Sequence, residues 1–91
     1  MNLEELRQKI NQIDDELIKL LEKRMDLVSK VASYKLETGK AVFDSKREET
    51  ILNKVAEAVE SPAYKDVIVN TFTDMMKHSR AFQERHIRQT R

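Results

Sequence analysis

The chain has 91 residues, 40% hydrophobic and 36% charged, with one Gly, one Pro, no Cys and a net charge of +1. So few sheet- and turn-forming residues, beside a charged share well above the usual ~25%, predict an all-α chain folded as one domain over residues 1–91. Disulfides and thiolate metal sites are excluded by the missing cysteine, and the near-neutral charge gives no electrostatic case for nucleic acid. No run approaches the eighteen apolar residues of a membrane span. The start, Met1-Asn2-Leu3-Glu4-Glu5, is acidic and amphipathic, unlike a basic leader before an apolar block. The expected location is therefore the cytoplasm.

The first predicted helix runs from about Leu3 to Glu37. Leu3, Leu6, Ile10, Ile13, Leu17, Leu20, Leu27, Val31 and Tyr34 recur at alternating steps of three and four, the seam of one long amphipathic helix. Thr38-Gly39-Lys40 stops it, with Gly39 suited to the left-handed cap position. At ~1.5 Å per residue this helix is roughly 50 Å long. A compact chain of this size has a radius of gyration of only about 12–13 Å. Lys40 to Phe43 form a short connector.

The second helix starts at Asp44 or Ser45, because Ser45-Lys46-Arg47-Glu48 has the capping-box pattern of a hydroxyl followed three residues later by Glu. Ile51, Leu52, Val55, Ala56 and Val59 supply its apolar face. Ser61-Pro62 marks the third start, with Ser as N-cap and Pro at the first helical position. That helix carries Tyr64, Val67, Ile68, Phe72, Met75, Met76, Phe82 and Ile87. Its end is basic, with Arg80, Arg85, Arg88 and Arg91 against Glu84, which reads as complementing the helix dipole. Two short helices cannot cover a stripe as long as the first helix. The expected partner is a second copy, with the long helices paired about a two-fold axis.

Polar residues interrupt these apolar faces. Arg24 stands on the first stripe where a leucine belongs, between Leu20 and Leu27. Lys35, eleven positions on, returns to within roughly 20° of its direction. On the third helix Ser79 and Gln83 continue the stripe of Phe72, Met75 and Met76. Arg47 and Glu48 lie in the first turn of the second helix. A buried unpaired cation is costly, and a surplus of cations on inward faces calls for an anion, with forked Arg donors suited to carboxylates or phosphates. Each residue also has an ordinary reading when taken alone. Glu48 fits a capping box, Asp44 an N-cap, Arg47 a surface position, Lys35 a stem that carries its ammonium to solvent, and Ser79 and Gln83 hydrogen-bonded core groups. Convergence of the set favours a site.

Other chemistries find little support. His78 and His86 lack companions at metal-ligand spacing, one Gly cannot build a phosphate loop, and no Ser–His–acid relay suggests itself. No metal or cofactor is expected. What survives is a reaction driven by positioning and electrostatics.

The chain resembles the all-helical chorismate mutases, the AroQ class, over essentially its whole length. Leu6-Arg7-Gln8-Lys9-Ile10 with Ile13-Asp14 is similar to that family's opening segment. Leu20-Leu21-Glu22-Lys23-Arg24, followed by Lys35, resembles its second arginine motif. Asp44-Ser45-Lys46-Arg47-Glu48 is similar to its D-x-x-R-E turn, and Ser79-Arg80-Ala81-Phe82-Gln83 to its S-x-x-x-Q ending. The resemblance implies an intertwined antiparallel homodimer of three-helix chains. Each of two sites would rearrange chorismate to prephenate by a Claisen step, in phenylalanine and tyrosine biosynthesis. Arg7 and Arg24 would hold the two substrate carboxylates. Lys35 would contact a carboxylate and the ether oxygen, and Gln83 would donate to that oxygen. Glu48 and the backbone around Asp44 would engage the ring hydroxyl, while Arg47 and Ser79 complete the polar wall.

Arg7 lies 17 positions before Arg24, about 25 Å along one helix and roughly 100° around it. Both cannot touch one small substrate from the same chain, so Arg7 must arrive from the other subunit. Two other readings stand beside the mutase. One is an isochorismate pyruvate-lyase of the same fold, which binds a nearly identical dicarboxylate. The other is a non-enzymatic helical dimerisation module, which explains the seam but not the inward Arg24, Lys35 and Gln83.

Overall fold

The computed structural model describes residues 1–90, so Arg91 of the basic tail lies outside the described residues. Three helices follow one another: α1 (Leu3–Thr38), α2 (Ser45–Ala58) and α3 (Pro62–Thr90), and no strand occurs among the described residues. Local chemistry sets each boundary. Asn2 caps α1, its side chain accepting from Glu5 N at 2.9 Å, with Glu4 and Glu5 in the first turn and Lys35 in the last. These charges complement the helix dipole. Gly39 ends α1 with φ 72°, a left-handed conformation that costs a residue with a Cβ about 1–2 kcal/mol.

Asp44 caps α2, its carboxylate accepting from Arg47 N at 3.0 Å. This corrects the capping-box reading of Ser45 and Glu48. The cap falls one residue earlier, so Ser45 is already helical and Glu48 is released for another partner. At the other end of α2 the Val59 N–H bonds back to the Val55 carbonyl at 3.1 Å. Pro62 occupies the first position of α3, where a missing N–H costs nothing.

α3 is the hub: it packs against both α1 and α2, whose backbones stay apart from each other. The long dimension of the molecule, 53 Å, is the length expected of 36 helical residues at ~1.5 Å each. The radius of gyration, 16.3 Å, exceeds the ~12 Å of a compact chain of this size. The excess has a plain cause, since α1 extends beyond what α2 and α3 cover. Its apolar stripe is exposed from Leu3 to Tyr34, including Ile13 at 63% and Leu27 at 62%. Ala32 is the one buried residue of α1. No described helix is long and apolar enough to cross a membrane.

The described residues that are buried are Ala32, Met76, Ser79 and Gln83. Two of the four are polar, and both lie on α3 one turn apart. A fold that spends half of its interior on an alcohol and an amide has a functional site there, or strong hydrogen-bond partners, because unpaired burial is costly.

Candidate active site

The last half of α1, the connector, the first turn of α2 and the second half of α3 enclose one pocket of about 190 Å³. That volume lies below the ~300–1,000 Å³ of sites for drug-sized ligands and suits a small molecule. Arg24 and Lys35 come from α1, Asp44 from the cap of α2, Arg47 and Glu48 from its first turn, and Ser79 and Gln83 from α3; all seven line this pocket. Val28, Val31, Val42, Ile51 and Met76 form its apolar wall. Arg7, on the exposed early part of α1, does not line it.

The hydrogen bonds show how each group is held. Arg24 Nη1 donates to Ser79 Oγ at 2.9 Å, tying α1 to α3 across the pocket. A guanidinium has five N–H donors, so most of its fork is left for a ligand. Ser79 Oγ also lies 3.9 Å from Met25 Sδ, a weak second contact. Lys35 Nζ donates to the Val42 carbonyl at 2.6 Å. The connector thereby holds the ammonium in place while two of its three protons stay free. Glu48 is ion-paired with Arg80 through Oε1 and Nη1. The Arg80 guanidinium in turn lies 5.0 Å from the centroid of the Phe43 ring, a cation–π contact from the connector. Gln83, only 7% exposed, has a buried Oε1 with no hydrogen-bond partner among the described residues. An amide with unused hydrogen-bonding capacity in a pocket wall is available to a ligand.

Four cations (Arg24, Lys35, Arg47, Arg80) face two carboxylates (Asp44, Glu48), a surplus of two positive charges. Both carboxylates are engaged, Asp44 at the helix cap and Glu48 with Arg80. Arg24, Lys35 and Arg47 therefore carry the uncompensated charge. A small dianion matches it in sign and magnitude, and paired Arg forks recognise carboxylates. His, Asp, Glu and Cys side chains form no cluster able to hold a metal ion among the described residues.

Sequence reasoning missed Arg80. It reads in the sequence as part of the basic end of the third helix, yet it lines the pocket together with Ser79 and Gln83. A signal did exist, because Arg80 stands three residues before Gln83 and so flanks the same helical face. Phe43, read as plain connector, was missed with it.

Comparison with known proteins gives the family. The model of the family "Chorismate mutase type II" matches residues 6–84. The chain belongs to that family. An enzyme of the isomerase type is thus in hand. The chain is similar to a chorismate mutase of Methanocaldococcus jannaschii, 28% identical over 89 residues that cover 97% of this chain and 90% of the relative. It is also similar to a bifunctional chorismate mutase/prephenate dehydratase of Buchnera aphidicola, 43% identical over 49 residues. That match covers 54% of this chain but 13% of the much longer relative. The family match spans all the pocket residues, from Arg24 to Gln83, and also Arg7.

Proposed function

We propose that this chain is a single-domain chorismate mutase that rearranges chorismate to prephenate, working as a homodimer without a cofactor. One observation carries the reading. Eight polar residues, from three helices and the cap of α2, converge on a small pocket whose surplus of two positive charges equals in magnitude the charge of a dicarboxylate. The name of the Buchnera relative joins the mutase to a prephenate dehydratase, which supports a place in aromatic amino acid biosynthesis.

A pericyclic step needs no base, nucleophile or metal. The enolpyruvyl arm must fold over the ring into a chair, and two arginines that hold both carboxylates oppose the entropy loss of that fold. Arg24 is one of these clamps, oriented by its bond to Ser79. Arg47 adds positive charge at the rim. As the C–O bond breaks, negative charge grows on the ether oxygen, where Lys35 and the Gln83 amide stabilise it. Glu48 accepts from the ring hydroxyl, beside the backbone at Asp44.

Arg7 is the second clamp, and it comes from the partner subunit. Its separation from Arg24, about 25 Å of helix, forbids a shared substrate within one chain. The exposed apolar stripe of α1 is the surface on which the partner's α1 would lie antiparallel. A non-enzymatic dimerisation module would use the same stripe but has no need of Arg24, Lys35 and Gln83 around one pocket.

The test is prephenate formation from chorismate, measured together with mass in solution. Turnover by a species of two chains is the expected result. Pyruvate released from isochorismate, with no prephenate from chorismate, would make the lyase the correct reading. A monomer lacking both activities would refute the enzyme.

A further inference from the structure

We propose that Arg80 is a positioning residue that holds Glu48 in the orientation needed to receive the substrate's ring hydroxyl. This rests on the reading of the pocket as the mutase site. Arg80 stands on α3 between the buried Ser79 and Gln83, so its backbone is fixed by the best-packed part of the molecule. Its guanidinium reaches across to the first turn of α2 and is ion-paired with Glu48 Oε1, over the face of Phe43.

This arrangement solves two problems that a free Glu48 would face. A glutamate side chain has three rotatable torsions, and Glu48 has no second protein hydrogen-bond partner among the described residues. Without Arg80 it would sample several rotamers, and an acceptor that wanders loses the benefit of proximity. The pocket also contains Arg24, Lys35 and Arg47, each a competing cation. Capture of the carboxylate by any of them would quench positive charge required for the dianion. Arg80 occupies Oε1 and leaves Oε2 for a hydroxyl donor. It keeps Glu48 apart from the cations that bind substrate. The Phe43 ring limits the guanidinium to one side, so the pair has a defined geometry and is more than loose charge compensation.

The ion pair does little for stability. Its side chains are 29% and 20% exposed, and partly solvated pairs contribute weakly to folding. Arg80 variants should therefore fold, and their defects should appear in catalysis.

The experiment is a double-mutant cycle on kcat/KM for chorismate, using wild type, R80Q, E48Q and the double variant, with thermal melting of each. R80Q is expected to lower kcat/KM on the order of tenfold, within the range of coupling between contacting residues. In the E48Q background the same substitution should cost less than about twofold, because the group it positions has lost its charge. R80K, which keeps the charge but not the fork, should recover part of the loss. Equal losses in both backgrounds, or a wild-type rate for R80Q, would overturn the assignment. Equal losses would mean that Arg80 acts on substrate or on the fold without Glu48. Should R80Q fail to fold, the R80K comparison in the two backgrounds gives the same decision. Absence of prephenate from the wild-type protein would defeat the mutase reading itself, a result distinct from an additive cycle in an active enzyme.

Discussion

Arg24 and Ser79, 55 residues apart, meet through one hydrogen bond of 2.9 Å, and that contact orients a cation which the apolar stripe of α1 gives no reason to hold. Helix α1 accepts the misfit because α3 turns a buried hydroxyl toward it. The bond costs the site little, since four further N–H donors remain on the guanidinium.

Replacing Arg24 by Leu restores the stripe and removes the clamp. We expect a folded protein whose melting temperature changes little, the restored stripe offsetting the partner lost by the Ser79 hydroxyl. Its kcat/KM for chorismate should fall by about 10- to 100-fold, the worth of a charged hydrogen bond. Thermal melting and steady-state kinetics decide the matter. A folded variant with wild-type kinetics would remove Arg24 from the site.

Lys35 is anchored to the Val42 carbonyl and so presents its ammonium without a search for position. Lys35→Ala should reduce turnover by roughly 2–4 kcal/mol of transition-state stabilisation, as for the loss of an oxyanion donor. The effect should fall on kcat more than on KM, because charge on the ether oxygen exists only in the transition state. Near-normal kcat would show that another group carries that task.

Gln83 is neutral at every accessible pH, so the wild-type rate should show no steep loss between pH 6 and 8. Gln83→Glu introduces a group that donates only while protonated. The sign follows directly: activity of this variant is present at low pH and is lost as pH rises through the pKa of the new carboxylic acid. A pH–rate profile of the two proteins checks this. Equal profiles would remove the donor role from position 83.

If the partner subunit supplies Arg7, two impaired variants should complement each other. A mixed dimer of R7A and R24A chains contains one site that takes Arg7 from the R24A chain and Arg24 from the R7A chain. Mixing after brief unfolding and refolding should restore up to about a quarter of wild-type activity, since half of the dimers are mixed and each has one intact site. A folded mixture no more active than the separate variants would argue against a shared site.

Gly39→Ala tests the end of α1. A Cβ there would meet nothing within 4 Å, so the penalty is that of the backbone alone at φ 72°. About 1–2 kcal/mol is expected, a loss of melting temperature of roughly 4–8 °C per kcal/mol. An unchanged melting temperature would mean that the connector relaxes without cost.

Much of this molecule is legible in its residues. Gly39 and Pro62 punctuate the chain and the apolar spacing fixes three helices, because caps and periodicity are local properties. Arg24, Lys35, Ser79 and Gln83 declare themselves by standing on apolar stripes. Arg80 only flanks such a stripe, and its pairing with Glu48 depends on where α3 crosses α2, which no local pattern encodes. For the same reason Glu48 looked like a capping residue. Only the three-dimensional crossing brings Arg80 within reach of it, while Asp44, one residue before Ser45, performs the capping. Single-residue propensity reads neighbours along the chain; it cannot read a partner 32 positions away.

Since Ser79 and Gln83 make up half of the buried set, packing and chemistry are assigned to the same few positions of α3. Tolerance to substitution is then distributed unevenly. Exposed positions away from the α1 stripe should accept change, whereas Ser79 and Gln83 should admit almost none. Improving stability through those two positions would erode the catalyst, so any engineered gain in robustness has to be sought at positions remote from the pocket.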